Sequence, residues 1–170
     1  MTAHSERLFV FSAEESLRVD VEFLAEAVEA LVGVLRTEFH YIIVDVPRLP
    51  GAPYWRSPDI ADIRVIVADQ TLRSVRDTVR LQAAFGEGSA AHRNLIVLNR
   101  SGEGGSYALT LDNMGKVNLH PNVVIPFRPK LFSAEGLARN TKFTGAVAAL
   151  AMEISGHMPE RTPWRTLTRW

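Results

Sequence analysis

Apolar positions along this chain fall into two kinds of run. Short runs rich in β-branched and aromatic residues occur at Leu8–Phe11, Tyr41–Val44, Ile63–Ala68, Asn94–Leu98 and Asn122–Ile125, and they predict five strands. Longer stretches carry helical spacing. Val21, Leu24, Val28, Leu31 and Leu35 recur at steps of 3, 4, 3 and 4, which places them on one face of a helix from about Asp20 to Glu38. Asp20 suits its N-cap, and Glu22 and Glu26 lie early, where the positive end of the helix favours acids. Thr71 is the expected cap of a second helix, Leu72–Phe85, with Leu72, Val75 and Val79 turned toward the sheet. A short helix is predicted over Tyr107–Met114, and two more near Ser133–Arg139 and Thr141–Gly156.

Breakers separate these elements. Pro47, Pro50, Pro53 and Pro58 make Arg48–Pro58 a loop, and Gly102, Gly104 and Gly105 mark another. Tyr41–Val44 is apolar on both faces, the pattern of a central strand covered on both sides. Strands alternating with helices predict an α/β fold: a three-layer sandwich around a mostly parallel sheet. The simplest organisation is one body over residues 1–157 and an extended C-terminal tail over 158–170, where Pro159 and Pro163 oppose regular structure.

Composition narrows the chemistry. The 170 residues suit one domain with a normal core, and the absence of cysteine removes disulfides, thiolate metal sites and thiol nucleophiles. Lys+Arg and Asp+Glu both number 19, so nucleic acid is not an expected partner. No secretory signal opens the chain, and its longest uncharged apolar stretch, Phe143–Met152, is about half a membrane span. A soluble, cytoplasmic protein is expected, reaching the inner face of a membrane only through partners.

In open parallel sheets, ligands bind beyond the carboxyl ends of the strands. The polar groups expected there are Asp45, Asp69, Asn99 and the turn after Ile125. Asp45 could hold Mg²⁺, because a hard cation prefers oxygen ligands. The competing reading is that Asp and Asn simply start turns at strand ends. A phosphate cradle of the form Gly-x-x-x-x-Gly-Lys-Ser/Thr is missing: no lysine precedes Lys116, and the loop from Gly102 to Ser106 carries Glu103 instead. His4, His40, His92, His120 and His157 are too scattered for a metal set, and no Gly-x-Ser-x-Gly elbow occurs. Arg73, Arg76 and Arg80 share a helix face that could meet an acidic partner, although Asp77 among them favours a solvated face. The tail combines Arg161, Arg165 and Arg169 with Trp164 and Trp170, a composition suited to docking.

Taken in order, five stretches resemble the MinD/ParA-type P-loop ATPases, and especially the Flp/Tad pilus-assembly branch (CpaE/TadZ type). Leu8–Ser12 resembles the strand before that family's long helix, and Phe39–Arg48 resembles its Walker B strand. Ala61–Val67 followed by Leu72–Asp77 is similar to the next strand and helix. Leu95–Arg100 resembles the strand whose terminal Asn borders the base, and Val124–Phe127 with Ala134, Gly136 and Leu137 resembles the last strand and its loop. The resemblance implies a P-loop NTPase-like but incomplete fold, with ATP and Mg²⁺ as cofactors. Asp45 then matches the Mg²⁺-associated acid, and Asn99, Pro126, Phe127 and Arg128 match the surroundings of the base. It further implies a homodimer and pilus-assembly proteins as partners.

The family's N-terminal half, with the P-loop, has no counterpart in these residues. Its strand would lie between the Walker B strand and Ile63–Ala68, so its loss leaves a gap of about two ladder widths, ~10 Å. The sheet must close up, borrow a strand, or belong to a longer protein. The expectation is a localisation or assembly protein acting through protein contacts, which alone does not bind ATP. Two alternatives stay open: the C-terminal part of an active ATPase, and an unrelated small-ligand α/β module.

Overall fold

A computed structural model describes residues 2–5, 7–11, 24–47, 56–86, 92–129 and 141–156. The chain divides into two compact units, Met1–Ala61 and Asp62–Trp170. The predicted helix Ser133–Arg139 and the tail 158–170 lie outside the described residues, as does the proposed cap Asp20.

The second unit is built on three strands, β3 (Ile63–Ala68), β4 (Arg93–Ser101) and β5 (Val123–Pro126), in the order β3-β4-β5. Both pairings are parallel, with Ile66 beside Ile96 and Val97 beside Val123. Parallel neighbours need crossovers; the helices that supply them lie on one face, and a helix after the last strand covers the other. On one face, Val75 of helix α3 (Leu72–Phe85) and Met114 of helix α4 (Leu111–Gly115) pack with Ile96, Leu98 and Leu119. On the other, Val97, Val123 and Ile125 meet Phe143, Ala146 and Leu150 of helix α5 (Thr141–Ser155). Helix, sheet and helix make the expected three layers.

Local chemistry sets the helix starts. The Thr71 hydroxyl accepts the Ser74 amide at 3.2 Å, as a capping residue should. Thr110 and Asn113 form a reciprocal capping box at the start of α4. Tyr107–Met114 is not one helix: a 3₁₀ turn at Gly105–Tyr107 precedes α4, and the chain between them is irregular. Leu72 does not face the sheet. It is exposed, and the helix instead buries Val75, Asp77 and Thr78. The apolar position sits in the first turn, one step outside the buried stripe.

The first unit has strands β1 (Thr2–Ser5) and β2 (Leu8–Val10), an antiparallel pair, with helices α1 (Ala25–Glu38) and α2 (Arg56–Ile60). Helix α2 overturns the assignment of all of Arg48–Pro58 to loop. Pro58 sits in its first turn, where the missing N–H has no helical partner to lose. Arg36 donates to the Ile60 carbonyl at 2.8 Å, and Phe9 meets Phe39 edge-on.

This unit lacks a described core. Its one buried residue among those described is the polar Ser57, whose hydroxyl has no partner. Helix α1 buries nothing fully. Ala25, Val28, Val32 and Leu35 form a half-covered face, whereas Leu24, Leu31 and Val34 are exposed. The expected single stripe is therefore two apolar faces, one of them bare.

The largest correction concerns Tyr41–Val44. It is not a buried central strand: residues 41–47 join no ladder, and Ile43 is 92% exposed. A β-rich sequence expresses readiness to pair, but a strand exists only when another backbone supplies the hydrogen bonds. Among the described residues none does.

Candidate functional site

Because β3, β4 and β5 are parallel, their carboxyl ends share one edge of the sheet. Asp69, Asn99–Gly102 and Pro126–Arg128 all lie on it.

Asp69 is occupied in starting a helix. Its Oδ1 accepts from the Thr71 amide at 2.8 Å and the Thr71 hydroxyl at 2.6 Å, while its own amide donates to the Ser74 hydroxyl at 2.9 Å. The turn-starting reading holds at this position.

Asn99 has a different setting. β4 does not end there but runs on to Ser101. Leu98 pairs with Val124 and Ser101 with Pro126, so β4 carries one residue more than β5 across this interval. That extra residue makes a β-bulge, a device that re-aims side chains at the rim of a sheet. Arg100 within it has φ +56°, a left-handed conformation uncommon outside glycine. The Asn99 Oδ1 accepts the Arg100 amide at 2.9 Å, and its Nδ2 donates to no described residue.

The bulge brings three side chains together. The Arg100 guanidinium pairs with Glu103 and lies 5.7 Å from the centre of the Phe127 ring. Phe127 is held in register by its amide, which donates to the Ser101 carbonyl at 2.8 Å. Pro126 closes β5 beside Ser101, and half-buried Arg128 follows. Replacing Arg100 with glycine or with alanine removes the same contacts, but only glycine relieves the left-handed strain. Arg100→Gly is expected to be more stable than Arg100→Ala by about 1 kcal/mol, measured by urea unfolding.

Gln70 had no signal in the sequence, yet it ties the edge together. Its Oε1 accepts the Gly102 amide at 2.6 Å, its Nε2 donates to the Leu109 carbonyl at 2.7 Å, and its carbonyl accepts the Leu109 amide at 2.9 Å. Only the fold brings those distant backbone groups within reach of one side-chain amide.

The four positions that the resemblance set around a base, Asn99, Pro126, Phe127 and Arg128, thus share one edge of the second unit. Asp45 belongs to the first unit, where it is exposed and makes no hydrogen bond or ion pair with a described residue. No cluster of three or more His, Asp or Glu able to hold a metal occurs among the described residues.

Two parts of a nucleotide can be tested against this edge. For a planar, polar ring, Asn99 has an amide N–H₂ that donates to no described residue, while the Arg100 guanidinium already lies over the Phe127 face. A triphosphate meets a loop whose amides are partly engaged. Phosphate sites need several backbone amides aimed at one point. In the glycine loop the Gly102 amide is taken by Gln70, the Glu103 amide by the Arg100 carbonyl and the Tyr107 amide by the Gly104 carbonyl. The Glu103 carboxylate adds repulsion.

A parallel sheet with helices on both faces and polar residues along its carboxyl edge defines the α/β class that binds ligands at that edge. Solved structures place the fold more narrowly. The MinD cell division protein of Aquifex aeolicus matches with a TM-score of 0.61 and 21% identity, over 80% of this chain and 62% of that one. A MinC:MinD complex from the same organism matches with a TM-score of 0.57 and 21% identity, over 80% and 59%. The cell division ATPase MinD of Pyrococcus furiosus gives a TM-score of 0.62 at 19% identity, over 78% and 58%. MinD of Pyrococcus horikoshii, complexed with Mg-ADP, gives 0.58 at 16%, over 85% and 57%. The fold is therefore the MinD-type P-loop NTPase fold in incomplete form, and the chain spans about three-fifths of the length of these neighbours. No family model matches the chain, and no curated protein does.

Proposed function

We propose that this chain is a MinD/ParA-like domain of the CpaE/TadZ pilus-assembly kind, acting in localisation or assembly through protein contacts. It works in the cytoplasm and reaches the membrane through partners. Among the described residues no helix is long and apolar enough to cross a bilayer. The observation that carries the reading is a MinD-type fold whose 170 residues contain no Gly-x-x-x-x-Gly-Lys-Ser/Thr loop. The engaged amides of Gly102, Glu103 and Tyr107, together with the Glu103 carboxylate, support it by weighing against a substitute cradle in that loop. Asn99, Pro126, Phe127 and Arg128 are the remnant of a base-binding rim, and Asp45 is a Walker B-like acid without the phosphates it would serve. Partners are pilus-assembly proteins and a second copy of the chain.

Titration of the chain with a fluorescent ATP analogue and Mg²⁺ is expected to give no micromolar saturation and no phosphate release. Saturable micromolar binding with turnover would sink the proposal.

A second reading is that a segment bearing a P-loop joins this chain and Asp45 then supports hydrolysis. The coverage of 57% to 62% of the MinD structures favours it. The intact mass of the native protein separates the two: a mass well above 18.9 kDa supports the second.

A further inference from the structure

The carboxyl edge of the second unit carries an aromatic ring, and a cation of the same chain sits over it. The Arg100 guanidinium lies 5.7 Å from the centre of the Phe127 ring, within the range at which a cation is drawn to an aromatic face. Arg100 is exposed and Phe127 half-buried, so a ligand arriving from solvent at that face meets the guanidinium first. Asn99, the next residue back along the chain, has an Nδ2 that donates to no described residue. The edge thus combines a ring-stacking surface that is already taken with a side-chain donor that is not.

Local structure holds Arg100 in that place. Glu103 pairs with its guanidinium. The Glu103 amide donates to the Arg100 carbonyl at 3.1 Å and closes a turn, in which Gly102 supplies the positive φ of +89° at the third position. Gln70 fixes the same turn, because its Oε1 accepts the Gly102 amide at 2.6 Å. The Phe127 amide donates to the Ser101 carbonyl at 2.8 Å, which sets the ring at a constant spacing from the turn. Arg100 itself keeps a left-handed φ of +56°, unfavourable for an arginine. Backbone strain that the surroundings enforce at the rim of a sheet points to a use for it.

The geometry points to an autoinhibitory contact: Arg100, held by Glu103, occupies the face of Phe127 on which a flat heteroaromatic ring would stack. The ligand class is an uncharged planar ring with a hydrogen-bond acceptor on its edge, which the Asn99 Nδ2 would meet. A guanidinium is itself planar and stacks on aromatic faces, so it competes for the same surface. Ring binding has to displace it, and the apparent affinity falls in proportion to the fraction of molecules whose face is uncovered. The proposal rests on reading Asn99, Pro126, Phe127 and Arg128 as a rim for a base. It does not depend on the phosphates or on the identity of the protein partners.

Adenosine is the probe, because it has a planar ring and no phosphate. NMR titration of the full chain follows the Asn99 side-chain amide and the Phe127 ring. Arg100→Gly and Arg100→Asn both remove the guanidinium, and both new residues tolerate a left-handed backbone, so the bulge should persist. Each variant is expected to bind adenosine about 5-fold or more tightly than the unaltered chain. Phe127→Leu, added to either variant, keeps an apolar side chain and is expected to abolish that gain. Agreement between the glycine and asparagine variants separates loss of the guanidinium from a loosened turn. Equal affinity in the unaltered chain and both variants would overturn the occlusion and leave the rim standing. No binding by any of them would overturn the occlusion and the rim together. A gain confined to Arg100→Gly, or one that Phe127→Leu leaves intact, would also overturn it. None of these results bears on the ATP titration, so failure here is distinct from failure of the proposed function.

Discussion

Leu98→Ala is expected to destabilise the second unit by about 2–5 kcal/mol, the range for emptying a leucine site in a packed core. Leu98 is 0% exposed and packs with Val75, Ile96, Met114 and Leu119, so the helices α3 and α4 meet the sheet through it. Those helices are anchored at their caps and by Gln70, and they have little freedom to collapse into the space a methyl side chain would leave. The cost falls toward the upper end when the cavity stays open. Against a typical domain stability of ~5–15 kcal/mol, a loss of this size brings the midpoint of urea unfolding down sharply. Circular dichroism at increasing urea measures it. Ile43→Ala, examined at a concentration where the chain is monomeric, is the matched control, with an effect within about 0.5 kcal/mol. If the two substitutions cost the same, the core is not where the structure puts it.

Asn122→Ala is expected to cost about 1–3 kcal/mol, because it strands a buried backbone donor. Asn122 precedes β5 and completes its ladder in an unusual way. Its amide donates to the Ile96 carbonyl at 2.8 Å, and its side-chain Oδ1 accepts the Ile96 amide at 2.8 Å. The side chain thus stands in for the strand carbonyl that the chain, turning in through Pro121, does not present. Ile96 is buried but Asn122 is exposed, so water restores part of the lost bond and the cost falls toward the lower end of that range. Asn122→Asp keeps an acceptor oxygen in place and is expected to recover most of the stability, which separates a hydrogen-bond effect from a simple change of size. The amide exchange of Ile96 should quicken in the alanine variant and not in the aspartate one. Equal losses in both variants would show that the Oδ1 contact is not the source.

Much of the second unit was legible from local pattern. β3 and β4 appear where β-branched runs predict them, α3 starts at Thr71, and α5 fills the predicted segment. These elements succeed because each carries its own signal: a side-chain period, a capping hydroxyl, a breaker beyond the end. The gathering of Asn99, Pro126, Phe127 and Arg128 at one edge was also foreseeable, since parallel strands bring their ends together whatever the side chains are. The bulge was not. An extra residue between Leu98 and Ser101 changes no period that a six-residue run could reveal, and Arg100 is not a residue type that announces a left-handed turn. Gln70 was hidden for a similar reason, as its partners Gly102 and Leu109 are far away in sequence.

The first unit shows the opposite case. Among the described residues Tyr41–Val46 has a strong strand signal and joins no ladder, and α1 has an apolar stripe and no buried side chain. Leu72 failed in miniature the same way. By itself the sequence determined most of the helical and extended preferences of the second unit, and that no phosphate loop lies within these 170 residues, because those properties reside in neighbouring residues. Which apolar faces are covered was decided only by the tertiary structure. Burial and strand pairing are relations between two surfaces, and a residue's own preference cannot supply the second surface.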